Sequence, residues 1–177
     1  YKKFIDVYEI ICKSFNEASL SLAFSNYANG EIVQRLNDDR MQLRDGVGYM
    51  VRVYTIAPSS IQVKQNLEGM LAALAVQAEQ NNSSADRTAV DNAERNTGNA
   101  FKSAVEDARV QATLSVIVDK VNSGSMSKDK ALKVVYELYK KNPNNDRICQ
   151  NLVTLCDMCI MEYVIADKWG ASSVKSI

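Results

Sequence analysis

The sequence predicts an all-α fold: an up-and-down four-helix-bundle core with one short extended segment and two additional C-terminal helices. Three observations predict it. Apolar residues recur at three- and four-residue spacing along most of the chain. Only seven Gly and two Pro occur in 177 residues, too few for a strand-and-turn architecture. Turn signals such as Asn29-Gly30, Pro58-Ser59-Ser60 and Asn142-Pro143 divide the chain into segments of helical length.

The elements follow in order. Phe4, Val7, Tyr8, Ile11, Cys12, Phe15, Ala18 and Leu22 form one amphipathic stripe, so a long helix is expected from Phe4 to about Ala28, stopped at Asn29-Gly30. A second helix, Glu31 to Leu43, turns Ile32, Val33, Leu36 and Leu43 inward and carries Arg40 and Arg44 one turn apart. Asp45-Gly46-Val47-Gly48 then reads as a break. Tyr49 to Ile56 is rich in β-branched and aromatic residues and is expected to be the extended segment, in need of a pairing partner. Ser60 is a candidate N-cap for a third helix to about Gln80, with Ile61, Leu67, Met70, Leu71, Leu74 and Ala78 inward and Gly69 permitting a close crossing.

The stretch Asp86 to Val121 reads as the spine: a charged, Asn-bearing lead-in to Asn96, then a helix from Asn99 on which Ala100, Ala104, Ala108 and Ala112 recur every four residues. Asn122-Ser123-Gly124 ends it. Ser127 caps a helix from Lys128 to Lys141, and Asn145-Asp146 opens the last, to about Lys168. Residues 1–170 are read as a single helical domain, with a core over 4–122, a C-terminal pair over 128–168, and a flexible tail, 171–177.

Composition narrows function. Twenty-one basic residues balance twenty-one acidic ones, so no global field draws nucleic acid or membrane, and any anion site is local. No apolar run reaches a membrane span and the first residues lack a signal-peptide core, so a soluble intracellular protein without a membrane partner is expected. Histidine is absent, which removes the Ser-His and Cys-His nucleophile pairs and imidazole metal ligands; the chain is read as no enzyme, with no cofactor and no metal. Cys156-Asp157-Met158-Cys159 has a zinc-like spacing, yet Cys149, Leu152, Cys156, Cys159 and Tyr163 share one helical face, so reduced core thiols are expected. Gly46-Val47-Gly48 lacks the rest of a dinucleotide fingerprint. Trp169 is either a partner anchor or a lid on its helix end.

Three short motifs carry a family resemblance: Glu9-Ile10-Ile11-Cys12 with the later Val33-Gln34-Arg35; Arg52-Val53-Tyr54; and Asp91 to Arg95 followed by Lys102-Ser103-Ala104-Val105. Over about residues 5–122 their order resembles the coat proteins of rod-shaped plant viruses of the tobacco mosaic virus type. The resemblance implies a four-helix bundle that stacks helically around single-stranded RNA, in the virion and the host cytoplasm. It implies RNA contacts at Arg87, Arg95, Lys102 and Ser103; the sequence cluster Arg40, Arg44 and Arg52 is the second choice. The chain departs from the family at Thr97-Gly98, where the family carries paired aspartates, and in the two helices after Gly124. A different class is also open, because Lys128 to Val164 is similar to one armadillo or HEAT-type repeat, implying a protein-interaction adaptor.

Overall fold

The computed structural model describes residues 2–15 and 18–165. Among them are eight helices and no strand: α1 (Lys2–Phe15), α2 (Ala18–Asn37), α3 (Leu43–Ile56), α4 (Ile61–Gln80), α5 (Ser84–Asn96), α6 (Lys102–Asn122), α7 (Lys128–Lys141) and α8 (Asp146–Ile165). The tail 171–177, Trp169 and the expected last turn of α8 to Lys168 lie outside the described residues. So do the side chains of Phe15 and Tyr163.

Two compact units divide the chain, Tyr1–Arg109 and Val110–Ile177. The boundary lies within α6, whereas the sequence reading separates core from C-terminal pair at the 122–128 turn. In the first unit α3 is the hub, packing on α1, α2, α4 and α5. This corrects the extended segment: Tyr49–Ile56 is the second half of a helix. The physical reason is its period. Gly46, Val47, Met50, Val51 and Val53 are all buried, a three- and four-residue recurrence that a flat strand could not direct to one side. Gly46-Val47-Gly48 is therefore helix interior and not a turn, and the pairing partner that a strand would need falls away with it.

Asn29-Gly30 does not stop a helix either. Asn29 is buried within α2, and its Oδ1 accepts from Asn66 Nδ2 of α4 at 2.9 Å, so packing recruits the residue that would otherwise favour a turn. The chain reverses instead at Asp39, Asn82 and Gly98, which have φ of 55°, 49° and 61°. At each, the following N–H reaches back to the fifth residue before it: Arg40 to Arg35, Ser83 to Ala78, and Asn99 to Glu94, at 2.8–2.9 Å. These are Schellman closures that satisfy carbonyls at the helix ends. Ser60, Ser83 and Ser127 cap α4, α5 and α7, accepting from the N–H of Val63, Asp86 and Lys130.

The first core gathers Ile5, Tyr8, Ile32, Met50, Val53, Leu67, Leu71, Leu74, Val90, Phe101 and Val105. Burial pushes the Tyr8 phenol up to about 12, against the lowering effect of Ser25 Oγ at 2.5 Å. Ile61, expected inward, is exposed, and no atom lies within 4 Å of a Cβ placed on Gly69, so no close crossing uses that glycine. The second unit has its own core of Leu114, Ile117, Ala131, Val135, Ile148 and Leu155, with α7 and α8 forming a helical hairpin. The alanine stripe is not buried all round: Ala100 is exposed in the turn before α6 and Ala104 half-buried, while Ala108 and Ala112 of α6 are buried.

Candidate nucleic-acid interface

The end of α2 and the start of α3 build a cleft of about 870 Å³ in the first unit. Arg35 comes from the last turn of α2. The Schellman closure at Asp39 then throws the 38–42 loop outward with Arg40 on it. Arg44 and Asp45 follow in the first turn of α3 and Tyr49 one turn later, while Gln77 of α4 and Asp86 of α5 complete the wall.

Asp86 organises this wall. Its carboxyl is only 3% exposed, and Oδ1 accepts from Arg44 Nε and Nη2, both at 2.6 Å. Oδ2 accepts from Gln77 Nε2 at 3.3 Å, and its backbone N–H donates to Ser83 Oγ at 3.2 Å. Burial by itself would raise the Asp86 pKa; the hydrogen bonds from Arg44, Ser83 and Gln77 outweigh it and hold the carboxyl below its ordinary value. Arg40 pairs with Asp38, and Arg35 Nε lies 3.3 Å from Glu31 one turn back. Three arginines and three aspartates line the cleft, so an anion there would be held by guanidinium N–H geometry and not by net field.

Of the second-choice arginines, Arg40 and Arg44 meet here and Arg52 does not. Arg52 Nε donates to Glu9 at 2.6 Å and Nη2 to Asp6 at 2.7 Å, pinning α1 to α3; its pKa is raised, chiefly by the Glu9 hydrogen bond. The first-choice residues are spread out. Arg87, at the start of α5, is gripped by both carboxylate oxygens of Glu79 at 3.1 and 3.2 Å and by Asn82 Oδ1 at 2.9 Å. Arg95, eight residues and so about 12 Å further along α5, donates to Asn92 Oδ1 and to the Asp91 carbonyl. Lys102 and Ser103 open α6 beyond the Thr97–Phe101 turn, so the continuous helix that would align Arg95 with Lys102 is interrupted. Gly98 is explained by its positive φ at the end of α5.

Carboxylates crowd that turn. Lys102 Nζ lies 3.7 Å from Glu106, and Arg109, which sequence reasoning missed, bonds Asp91 at 2.6 Å and lies 3.8 Å from Glu94. Burial raises the Glu94 pKa, opposed by Arg109 and reinforced by Asp91 and Glu106. Sequence reasoning also missed Tyr49, Gln77 and Asp86 as cleft residues. Ser83 three residues earlier marks Asp86 as a helix-start acid, but no local signal marks its pairing with Arg44, 42 residues away.

The four cysteines are free thiols; Cys12 and Cys159 are buried, Cys149 and Cys156 half-buried, and burial pushes the Cys159 thiol up to about 11. Among the described residues no group of three Cys, Asp or Glu side chains is placed to hold a metal, and no helix is long and apolar enough to cross a membrane. No family model matches the chain, and comparison with the curated proteins and with the solved structures finds no match.

Proposed function

We propose that the chain is a structural, non-catalytic subunit that assembles helically with copies of itself around single-stranded RNA, in the virion and the host cytoplasm. The observation that carries this reading is the cleft, where the guanidinium groups of Arg35, Arg40 and Arg44 stand beside the amides of Gln42 and Gln77 and the Tyr49 ring. Guanidinium N–H groups grip phosphate oxygens without regard to base, and primary amides can meet base or sugar edges. In this reading the four-helix core is α2–α5, built on the α2–α3, α3–α4 and α4–α5 contacts. The exposed Arg95, Lys102 and Ser103 add a second group of contacts. Weak contacts per subunit suffice, because an assembled array sums them.

The test is binding of a 12-nucleotide oligouridylate to the full chain across a salt series. Arg44 is left in place, since its loss would strand a buried carboxylate. Arg35→Gln with Arg40→Gln should weaken binding about tenfold and lower the log–log salt slope by about 1.4, at ~0.7 per phosphate contact on a single strand. Unchanged affinity and slope would remove the cleft as the site. One observation favours the adaptor reading instead: α8 carries exposed Val153, Ile160 and Val164 on one face, opposite the buried Ile148, Leu155 and Cys159. A helix apolar on both sides is suited to a protein partner.

A further inference from the structure

We infer that the solvent face of α7 is a second, separate contact surface for single-stranded nucleic acid, with one base stacking on Tyr136 between flanking lysine ammonium groups. The inference takes its ligand class from the reading above and rests on it for that class alone; the residues and the unit are different.

Helix α7 buries Ala131 and Val135 and packs Leu132, Leu138 and Tyr139 against the core of the second unit. Among the residues left outside, with Val134 on the flank, are Lys133, Tyr136 and Lys140, at i, i+3 and i+7, which at ~100° per residue fall within about 60° of one another. Lys130 and Lys141 flank them, and both are exposed. The acidic groups near this strip are Glu137, which pairs with Lys140 at 2.5 Å, and Asp129, which interacts with the Cys159 thiol. Four lysines against these two carboxylates leave the strip positive on a chain with no net charge.

Tyr136 distinguishes the strip from an ordinary solvated face. It is 49% exposed, so its ring stands open to solvent on a helix whose neighbouring aromatic, Tyr139, packs against the core. Its ring lies nearly parallel to that of Tyr139, with centroids 6.3 Å apart and planes at 22°, which fixes its orientation. Lys140 Nζ sits 5.2 Å from the Tyr136 centroid, so the ring already holds a cation against its π face. An incoming base would take the place of that ammonium over the ring, and the ammonium would turn to the adjoining phosphate. Lys133 and Lys140 are about 10 Å apart along the helix, one on each side of the ring, so each can meet a backbone phosphate as the base stacks.

The same full-chain oligouridylate assay tests it. Tyr136→Ala should weaken binding about tenfold with the salt slope unchanged, and Tyr136→Phe, which keeps the stacking surface, should stay near wild type. Lys133→Gln with Lys140→Gln should lower the slope by about 1.4. Circular dichroism should match wild type for all of these surface variants. If the α7 variants bind unchanged while Arg35→Gln/Arg40→Gln weakens, the α7 surface is wrong and the cleft reading stands. If the α7 variants weaken and the cleft variant does not, the cleft is wrong and the α7 surface stands. No binding by the wild type overturns both. Binding of phosphatidylserine vesicles that requires Lys133 and Lys140, without RNA binding, overturns the inference in favour of a membrane surface.

Discussion

Asp86 and Arg44 are an unequal pair, because one partner is buried and the other is partly in solvent. Removing the cation leaves a carboxylate held by Gln77 and the Ser83 cap alone. Arg44→Ala should therefore cost about 2 kcal/mol, below the roughly 3–5 kcal/mol of a fully buried pair because the guanidinium is half hydrated, and Asp86→Asn with intact Arg44 should cost less. A drop in melting temperature at pH 7 reads this directly. The pH dependence has a definite sign. The folded pKa of Asp86 lies below the unfolded value near 3.9, so its contribution is complete above that unfolded value and is lost as pH falls below it and through the folded pKa. Glu94 runs the other way, its raised pKa making its ionisation a cost that grows as pH rises through the acid range. Wild type should lose stability below about pH 4 more steeply than Asp86→Asn, and equal slopes would show that Asp86 is not held by its partners.

At the scale of elements, α3 is the instructive case. Its β-branched and aromatic residues suggest a strand, but its apolar positions are spaced for a helix, and packing on four neighbours decides for the helix. Its glycines give a graded test. A Cβ on Gly48 would meet no atom within 4 Å, nor would one on Gly30 or Gly69, so alanine at any of these should stabilise by roughly 0.5–1 kcal/mol through helix propensity. A Cβ on Gly46 would lie 3.0 Å from the Leu36 and Met70 side-chain ends, so Gly46→Ala should gain clearly less than Gly48→Ala. Urea unfolding of the four variants checks the order, and an equal gain at Gly46 would mean that the α2–α3–α4 contact is looser than described. The bounds of α4 and α7 were legible in the sequence, since Ser60 and Ser127 announce their starts and periodicity runs unbroken behind them. The α1–α2 arrangement was not, because Asn29 is a turn former only until Asn66 offers it a partner.

For the whole molecule, the proposed role requires self-association driven by RNA. Negative-stain microscopy of purified protein with and without single-stranded RNA should show discs or rods, with RNA lengthening them. A monomer under both conditions, joined by capture of a protein partner through α8, would favour the adaptor. What the sequence determined by itself is local: a helical chain, two serine-capped helices with their bounds, and a chemistry without imidazole. Those follow from dihedral preference, periodicity and composition, all of which act within a few residues. Only the tertiary structure decided that α3 is the hub, that Arg40 and Arg44 meet in a cleft while Arg52 is committed to Glu9 and Asp6, and that Arg95 and Lys102 stand on separate helices. Arg44 finds Asp86 across 42 residues and Arg52 finds Glu9 across 43. Pairings at that separation are set by which helix faces pack together, a free-energy sum over the whole core that no local spacing encodes.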